Sequence, residues 1–188
     1  MKVRGIVLAG GLSRRFGEDK ALAKVNGITL IEHAVSLLRA LKLEPVVITN
    51  VSRDYSFLNC DIERDLIPGK GPLGGLYTAF VLFPNTSLLT LTCDMPALQS
   101  SLLKALLDRH SKESTVTVFR VREEKRQPFP GVYESNLLDL LHMHLDKGDL
   151  SLQDFLKAVP NLTEVFSPRQ IDMFRNVNEK ADLQMWLK

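Results

Sequence analysis

The residues best suited to chemistry lie in LAGGLSRRFGEDK, residues 8–20. Gly10 and Gly11 permit a sharp turn and a close backbone approach to a ligand, since no Cβ stands in the way. Successive exposed N–H groups there can form a nest for an anion. Arg14, Arg15 and Lys20 add three cations within seven residues, a set that suits a triphosphate chain. A basic run can also be a solvated loop, but paired glycines directly after the first apolar run favour the anion site. A second centre is LTCDMP, residues 91–96, where an apolar run ends in the lone carboxylate Asp94 ahead of Pro96. A carboxylate at the carboxyl end of a strand can present its oxygens to Mg²⁺, which bridges phosphate oxygens. The alternative for an isolated Asp is an Asx-type turn cap without metal, and the basic glycine loop upstream tips the balance towards metal. Asp65 precedes the turn Pro68–Gly71 and Asn50 closes another apolar run; alone, either is an ordinary turn residue.

Other patterns fail on spacing. Gly5 and Gly10 have the separation of a P-loop, yet Gly11 and Leu12 stand where Lys and Ser/Thr belong. Gly69, Gly71 and Gly74 match G-x-G-x-x-G, but far from the first strand and with Pro72 at a helix start. His142 and His144 are two apart on a predicted helix and point to different sides, so they do not form a metal pair. No histidine is paired convincingly with an acid, and His33 and His110 are expected as surface or core residues. Cys60 and Cys93 form no C-x-x-C pair, so both are expected as small buried apolar residues, without disulfide or zinc.

Positioning these groups requires a layered fold. The length of 188 residues fits one domain spanning residues 1–188. The 45% hydrophobic and 24% charged content is that of a packed globular chain. A net charge of +2 is too even for the broad field of non-specific nucleic-acid binding, and a small anionic substrate fits better. No apolar run approaches the roughly 20 residues that span a bilayer; a cytoplasmic protein without a membrane or nucleic-acid partner is expected. Strands are predicted at Val3–Leu8, Pro45–Thr49, Leu88–Thr92 and Thr115–Val121, with helices at Leu30–Leu41, Leu73–Phe83 and Ser100–His110 between them. Ser135 and Ser151 are candidate caps of two later helices. This alternation predicts an α/β fold of three layers, a mainly parallel twisted sheet with helices on both faces. The loops Ala9–Asn26, Ile67–Pro72 and Cys93–Ser100 then meet in the crevice at the strands' carboxyl ends.

In order along the chain, LAGGLSRRFGEDKAL, PGKGPLGGL, LTCDMPAL, QPFPGVY and FRNVNEKADL resemble segments of the molybdenum cofactor guanylyltransferases. Related families carry LAAG in place of LAGG, and Phe16 stands where methionine is common. The resemblance implies a Rossmann-like fold of the nucleotide-diphospho-sugar transferase kind. It implies transfer of GMP from GTP to the terminal phosphate of molybdopterin, with Mg²⁺ as cofactor and pyrophosphate as the second product. It places GTP at Leu8, Ala9, Gly10, Gly11, Lys20, Asn50, Asp65 and Asp94, with Asp94 also the metal ligand. Arg15, Lys20 and Asp94 are the expected catalytic positions. The molybdopterin side is expected at Gln127, Asn176 and Asn178; the two asparagines, spaced by two in an extended run, face one way, unless they cap the final helix. A GTP-binding accessory protein and acceptor molybdoenzymes are the implied protein partners. A cytidylyl- or uridylyltransferase, or a nucleotide-binding regulatory module that no longer transfers, would keep the same loop.

Overall fold

The computed structural model of the chain describes residues 2–10, 16–50, 54–122, 125–166 and 168–186. Strand β1 (Val3–Leu8) is followed by a tight hairpin of β2 (Lys24–Val25) and β3 (Ile28–Thr29). Asn26 and Gly27 join them with φ of 52° and 82°, the two positive values that a type I′ turn requires. Thr29 then starts α1 (Leu30–Ala40) with a capping box. Its hydroxyl accepts from the Glu32 N–H, and the Glu32 carboxylate accepts from the Thr29 N–H. Next come β4 (Pro45–Thr49), β5 (Asp61–Arg64), α2 (Gly71–Leu82), β6 (Ser87–Thr92) and α3 (Ser100–Arg109). The last third holds β7 (Val116–Arg122), β8 (Lys125–Tyr133), α4 (Leu138–Asp146), α5 (Leu152–Ala158), β9 (Leu162–Phe166) and α6 (Lys180–Leu183).

Seven strands form one sheet in the order β5-β4-β1-β6-β8-β7-β9, in which β8 alone runs antiparallel to its neighbours. Its central strands are near-continuous Val, Ile and Leu because both faces are covered. Ile6, Val7, Val46, Val47, Leu88 and Leu89 have no exposed surface. Two glycine contacts fix which helix lies on which face. A Cβ on Gly5 would sit 2.9 Å from Leu38 of α1, whereas one on Gly75 of α2 would sit 2.9 Å from Leu8. Gly5 and Leu8 have opposite parity on β1, so α1 and α2 cover opposite faces. α3 packs beside α1, and α4 beside α2, where Tyr77 meets His142 edge-on at 5.8 Å. The three layers anticipated from the sequence are present.

From β1 the chain winds to one side through β4 and β5, then returns to the other side through β6. That reversal opens a crevice at the carboxyl ends of β1 and β6. The strand β8 departs from the regular winding. Its pairing with β7 steps from Val118 opposite Gly131 to Phe119 opposite Gln127, so residues 128–130 bulge out. Pro128 and Pro130 have no N–H to give a ladder, and the bulge is where they fit. Ser135 does not cap α4: it opens a single turn, Ser135–Leu137, and no side chain caps the helix. Ser151 does cap α5, accepting from the Asp154 N–H. Among the described residues no helix is long and apolar enough to cross a membrane.

Candidate nucleotide site

A cleft of about 690 Å³, counted to its open mouth, lies at the carboxyl ends of the parallel strands. Leu8, Ala9 and Gly10 from the end of β1 line it, with Lys20, Asp65 from the end of β5, and Asp94 just past β6. The Ala9 N–H is spent on the Ile48 carbonyl at 2.8 Å, so the β4 ladder extends to Ala9. Gly11, Arg14 and Arg15 lie outside the described residues.

Asp94 is the focus of the cleft's polar contacts. Its Oδ1 accepts from the Thr92 hydroxyl at 2.6 Å, and its Oδ2 accepts from the Lys20 ammonium at 2.9 Å. The two side chains of the ion pair are 19% and 15% exposed, so the pair is held in a half-shielded medium while remaining open to a ligand. Cys93 beside it is buried, and burial together with the Asp94 charge pushes its thiol up to about 12. Cys93 is therefore a neutral wall and not a nucleophile. Cys60, expected to be buried, is only partly so, packed against the edge of the core.

Asp65 is buried and does structural work as well. Its Oδ1 accepts from the Thr78 hydroxyl at 2.8 Å and from the Ile67 N–H at 3.1 Å. Those bonds fasten the turn after β5 to α2. A Cβ on Gly74 would approach Asp65 Oδ2 to 3.4 Å, so the glycine leaves that oxygen clear. Asn50 stands across from Gly10, where an added Cβ would lie 3.6 Å from its amide carbon. Its Oδ1 is buried with no hydrogen-bond partner among the described residues, and Asn50 itself lies outside the cleft lining.

The donor set suits a divalent cation of the nucleotide type. Mg²⁺ is held by one or two carboxylates with waters and substrate phosphates completing an octahedron. Asp94 offers one carboxylate that would fit that role, and among the described residues no group of three or more His, Cys, Asp or Glu forms a complete protein cage.

The residues expected on the acceptor side are distributed differently. The Val177 N–H donates to the Asp94 carbonyl at 2.8 Å, which lays the segment 176–178 against the loop carrying the carboxylate. Val177 is buried, while Asn176 and Asn178 on either side of it are exposed. The cap of α6 belongs to Glu179 and Asp182, and Asn178 contributes only its N–H to Asp182, at 2.7 Å. Gln127 sits on β8 opposite Phe119, outside the cleft lining. The expectation that no histidine pairs with an acid needs correction. His110 is fully buried, with Glu134 and Thr117 each 2.8 Å from one ring nitrogen. Glu134 follows Tyr133, which pairs with Leu88 at the start of β6. The pair is thus at the opposite end of the sheet from Asp94 and takes no part in the cleft.

Residues 5–164 match the family described as "MobA-like NTP transferase domain". The chain belongs to the MobA-like NTP transferase family. A relative from Carboxydothermus hydrogenoformans, described as "Probable molybdenum cofactor guanylyltransferase", is 32% identical over 97% of this chain and 93% of its own. One from Flavobacterium johnsoniae with the same description is 30% identical over 94% and 92%. A crystal structure from Aquifex aeolicus superposes with a TM-score of 0.78 at 28% identity, covering 94% of each chain. Molybdopterin-guanine dinucleotide biosynthesis protein A from Archaeoglobus fulgidus shares the fold, with a TM-score of 0.79 at 22% identity over 98% and 96%.

Within this nucleotidyltransferase, the cleft also takes in Asp19, Gly71, Pro72, Gly75 and Thr92, which the sequence reading did not assign. Three of these had a visible signal. Thr92 is two residues from Asp94, the spacing at which a strand-end hydroxyl meets a carboxylate, and Gly71 and Pro72 lie in a loop already singled out for its composition.

Proposed function

We propose that this chain transfers GMP from GTP to the terminal phosphate of molybdopterin carrying molybdenum, and that the described cleft holds the triphosphate. The observation that carries this is the Lys20–Asp94 pair, 2.9 Å apart, in the cleft floored by Gly10 of a MobA-like chain. One cation and one carboxylate at a glycine turn are what a metal-bound triphosphate needs on its two sides.

The acceptor phosphate oxygen attacks the α-phosphorus, a P–O bond forms there, and the bond to the β-phosphate oxygen breaks to release pyrophosphate. The attacking oxygen is already ionised at neutral pH, so no general base is required. The protein's task is alignment and charge stabilisation. Lys20 and Arg15 hold phosphate oxygens, and the N–H groups of Gly10 and Gly11 donate to them. Leu8, Ala9, Asn50 and Asp65 hold the nucleoside, with the Asn50 Oδ1 accepting from it. Asp94 holds Mg²⁺, which when bound neutralises charge on the transferring phosphoryl group. Asn176 and Asn178 receive the pterin side, with Gln127 further along β8. The same reading gives GTP and molybdopterin as small-molecule partners in the cytoplasm, and a GTP-binding accessory protein and molybdoenzymes as protein partners.

The test is single-turnover transfer from α-labelled GTP to purified molybdopterin, with pyrophosphate followed in parallel and ATP, CTP and UTP as competitors. GTP is expected to bind at least about tenfold more tightly than ATP, roughly 1.4 kcal/mol. Equal affinities, or preferential release of pyrophosphate from CTP, would move the chain to another acceptor chemistry.

A further inference from the structure

The residue before Lys20 is held at both of its carboxylate oxygens. Asp19 caps the short turn Lys20–Leu22: its backbone is extended, with φ −66° and ψ 104°, and its Oδ1 accepts from the Ala21 N–H at 3.1 Å. Its other oxygen, Oδ2, accepts from the Tyr55 hydroxyl at 2.6 Å. Tyr55 is 1% exposed and belongs to the main core, with Phe57 edge-on to its ring at 6.4 Å. A phenol has two torsions and here both are locked by packing, so its hydroxyl is a fixed point. An O–H donated to a carboxylate is among the shorter and stronger protein hydrogen bonds. Tyr55 also lies five residues beyond Asn50, on the segment after β4. The bond therefore ties the segment after β4 to the segment after β1 that carries the ammonium.

We propose that Tyr55 and Asp19 are a positioning pair for the nucleotide site: the buried hydroxyl orients the Asp19 carboxylate, whose capping bond aims Lys20 into the cleft. This rests on Lys20 being a phosphate ligand, as in the function proposed above. Neither residue takes part in bond making. Their effect passes through the ammonium, and that makes it separable from a general effect on folding.

The experiment is a double-mutant cycle on the full chain, reading GTP affinity by calorimetry and GMP transfer by single turnover. Tyr55→Phe keeps the ring and removes the hydroxyl. It is expected to weaken GTP binding about five- to tenfold, the range of one lost hydrogen bond. In a Lys20→Ala background the same substitution is expected to change GTP affinity less than about twofold, because no ammonium remains to be aimed. Asp19→Asn, at a partly exposed position, keeps an oxygen for Ala21 but loses the charge. It should give the same pattern without disturbing the core. Equal factors in both backgrounds would make Tyr55 and Asp19 merely structural and overturn the pair. So would a Lys20→Ala chain that binds GTP normally. Non-additive binding in a chain that transfers no GMP would instead uphold the pair and remove the proposed reaction.

Discussion

Asp94 and Lys20 have different consequences when lost, although they touch each other. Asp94→Asn keeps an oxygen for the Thr92 hydroxyl and tolerates the same turn, so the fold is expected to persist. It removes the charge that holds a hard dication. The single-turnover rate is expected to fall by roughly 10² to 10³, the loss typical of one preorganised electrostatic contact. A magnesium titration of wild type against Asp94→Asn checks this; an unchanged metal dependence would move the role to Asp65. Lys20→Ala is the more disturbing change for stability. It leaves a carboxylate only 15% exposed without its cation. Stranding a fully buried charge costs about 3–5 kcal/mol, and with solvent still in reach here about 1–2 kcal/mol is expected. Calorimetry should show a drop of a few degrees for Lys20→Ala and a smaller one for Asp94→Asn. The opposite order would mean that the pair is strained, not satisfied, in the unliganded chain.

At the scale of elements, α1 carries a pH-dependent contact. The His33 Nε2 is 3.1 Å from the Leu98 carbonyl, a bond that requires Nε2 to carry the proton and donate. Burial lowers the His33 pKa, with only partial compensation from that carbonyl. The unfolded chain protonates His33 near about 6.5 while the folded chain resists, so the unfolded state binds more protons just below that value. The stability owed to neutral His33 is complete above about pH 6.5 and declines as pH falls towards the folded value. In denaturant titrations from pH 7.5 to 5, the advantage of wild type over His33→Gln should therefore shrink; parallel curves would clear His33 of the effect. How far such elements could be read in advance depended on their burial. β1, β4 and β6, covered on both faces, announce themselves as Val, Ile and Leu runs, and their observed bounds agree with the predicted ones within a residue. β5 escaped because it is an edge strand, with Asp61, Glu63 and Arg64 among its four residues. β8 was obscured by Pro128 and Pro130, whose bulge only the pairing with β7 reveals. The β2–β3 hairpin was legible in Asn26-Gly27 but fell at the end of a stretch read as loop. In the cleft, Lys20 and Asp94 stood out through local motifs. Tyr55–Asp19 and His110–Glu134 did not, since each joins residues 36 and 24 positions apart and only the fold brings them together.

Across the whole molecule, the two ends of the chain meet at the site. Phe16, from the glycine loop, packs with Leu30 and Val177 in a small cluster apart from the main core, and Trp186 lies against it. Lys180 reaches Glu18 at 2.9 Å, but both are more than half exposed, so this ion pair adds little. The anchor is Val177, fully buried and hydrogen-bonded through its N–H to Asp94. Holding that one residue leaves Asn176 and Asn178 exposed on either side of it, next to the loop that carries the proposed metal ligand. Their amides offer donors and acceptors of the kind a pterin edge needs, and neither side chain is required to cap α6. Replacing both with Ala while leaving Val177 in place should therefore raise the KM for molybdopterin, by about tenfold if each contributes an ordinary hydrogen bond of about 0.5–1.5 kcal/mol. GTP affinity and the thermal midpoint should stay near those of wild type, because the cleft contacts and the buried anchor are untouched. Calorimetric GTP binding and steady-state kinetics with molybdopterin as the varied substrate make the comparison. A fall in GTP affinity with an unchanged acceptor KM would place the two asparagines on the nucleotide side and require another surface for the pterin.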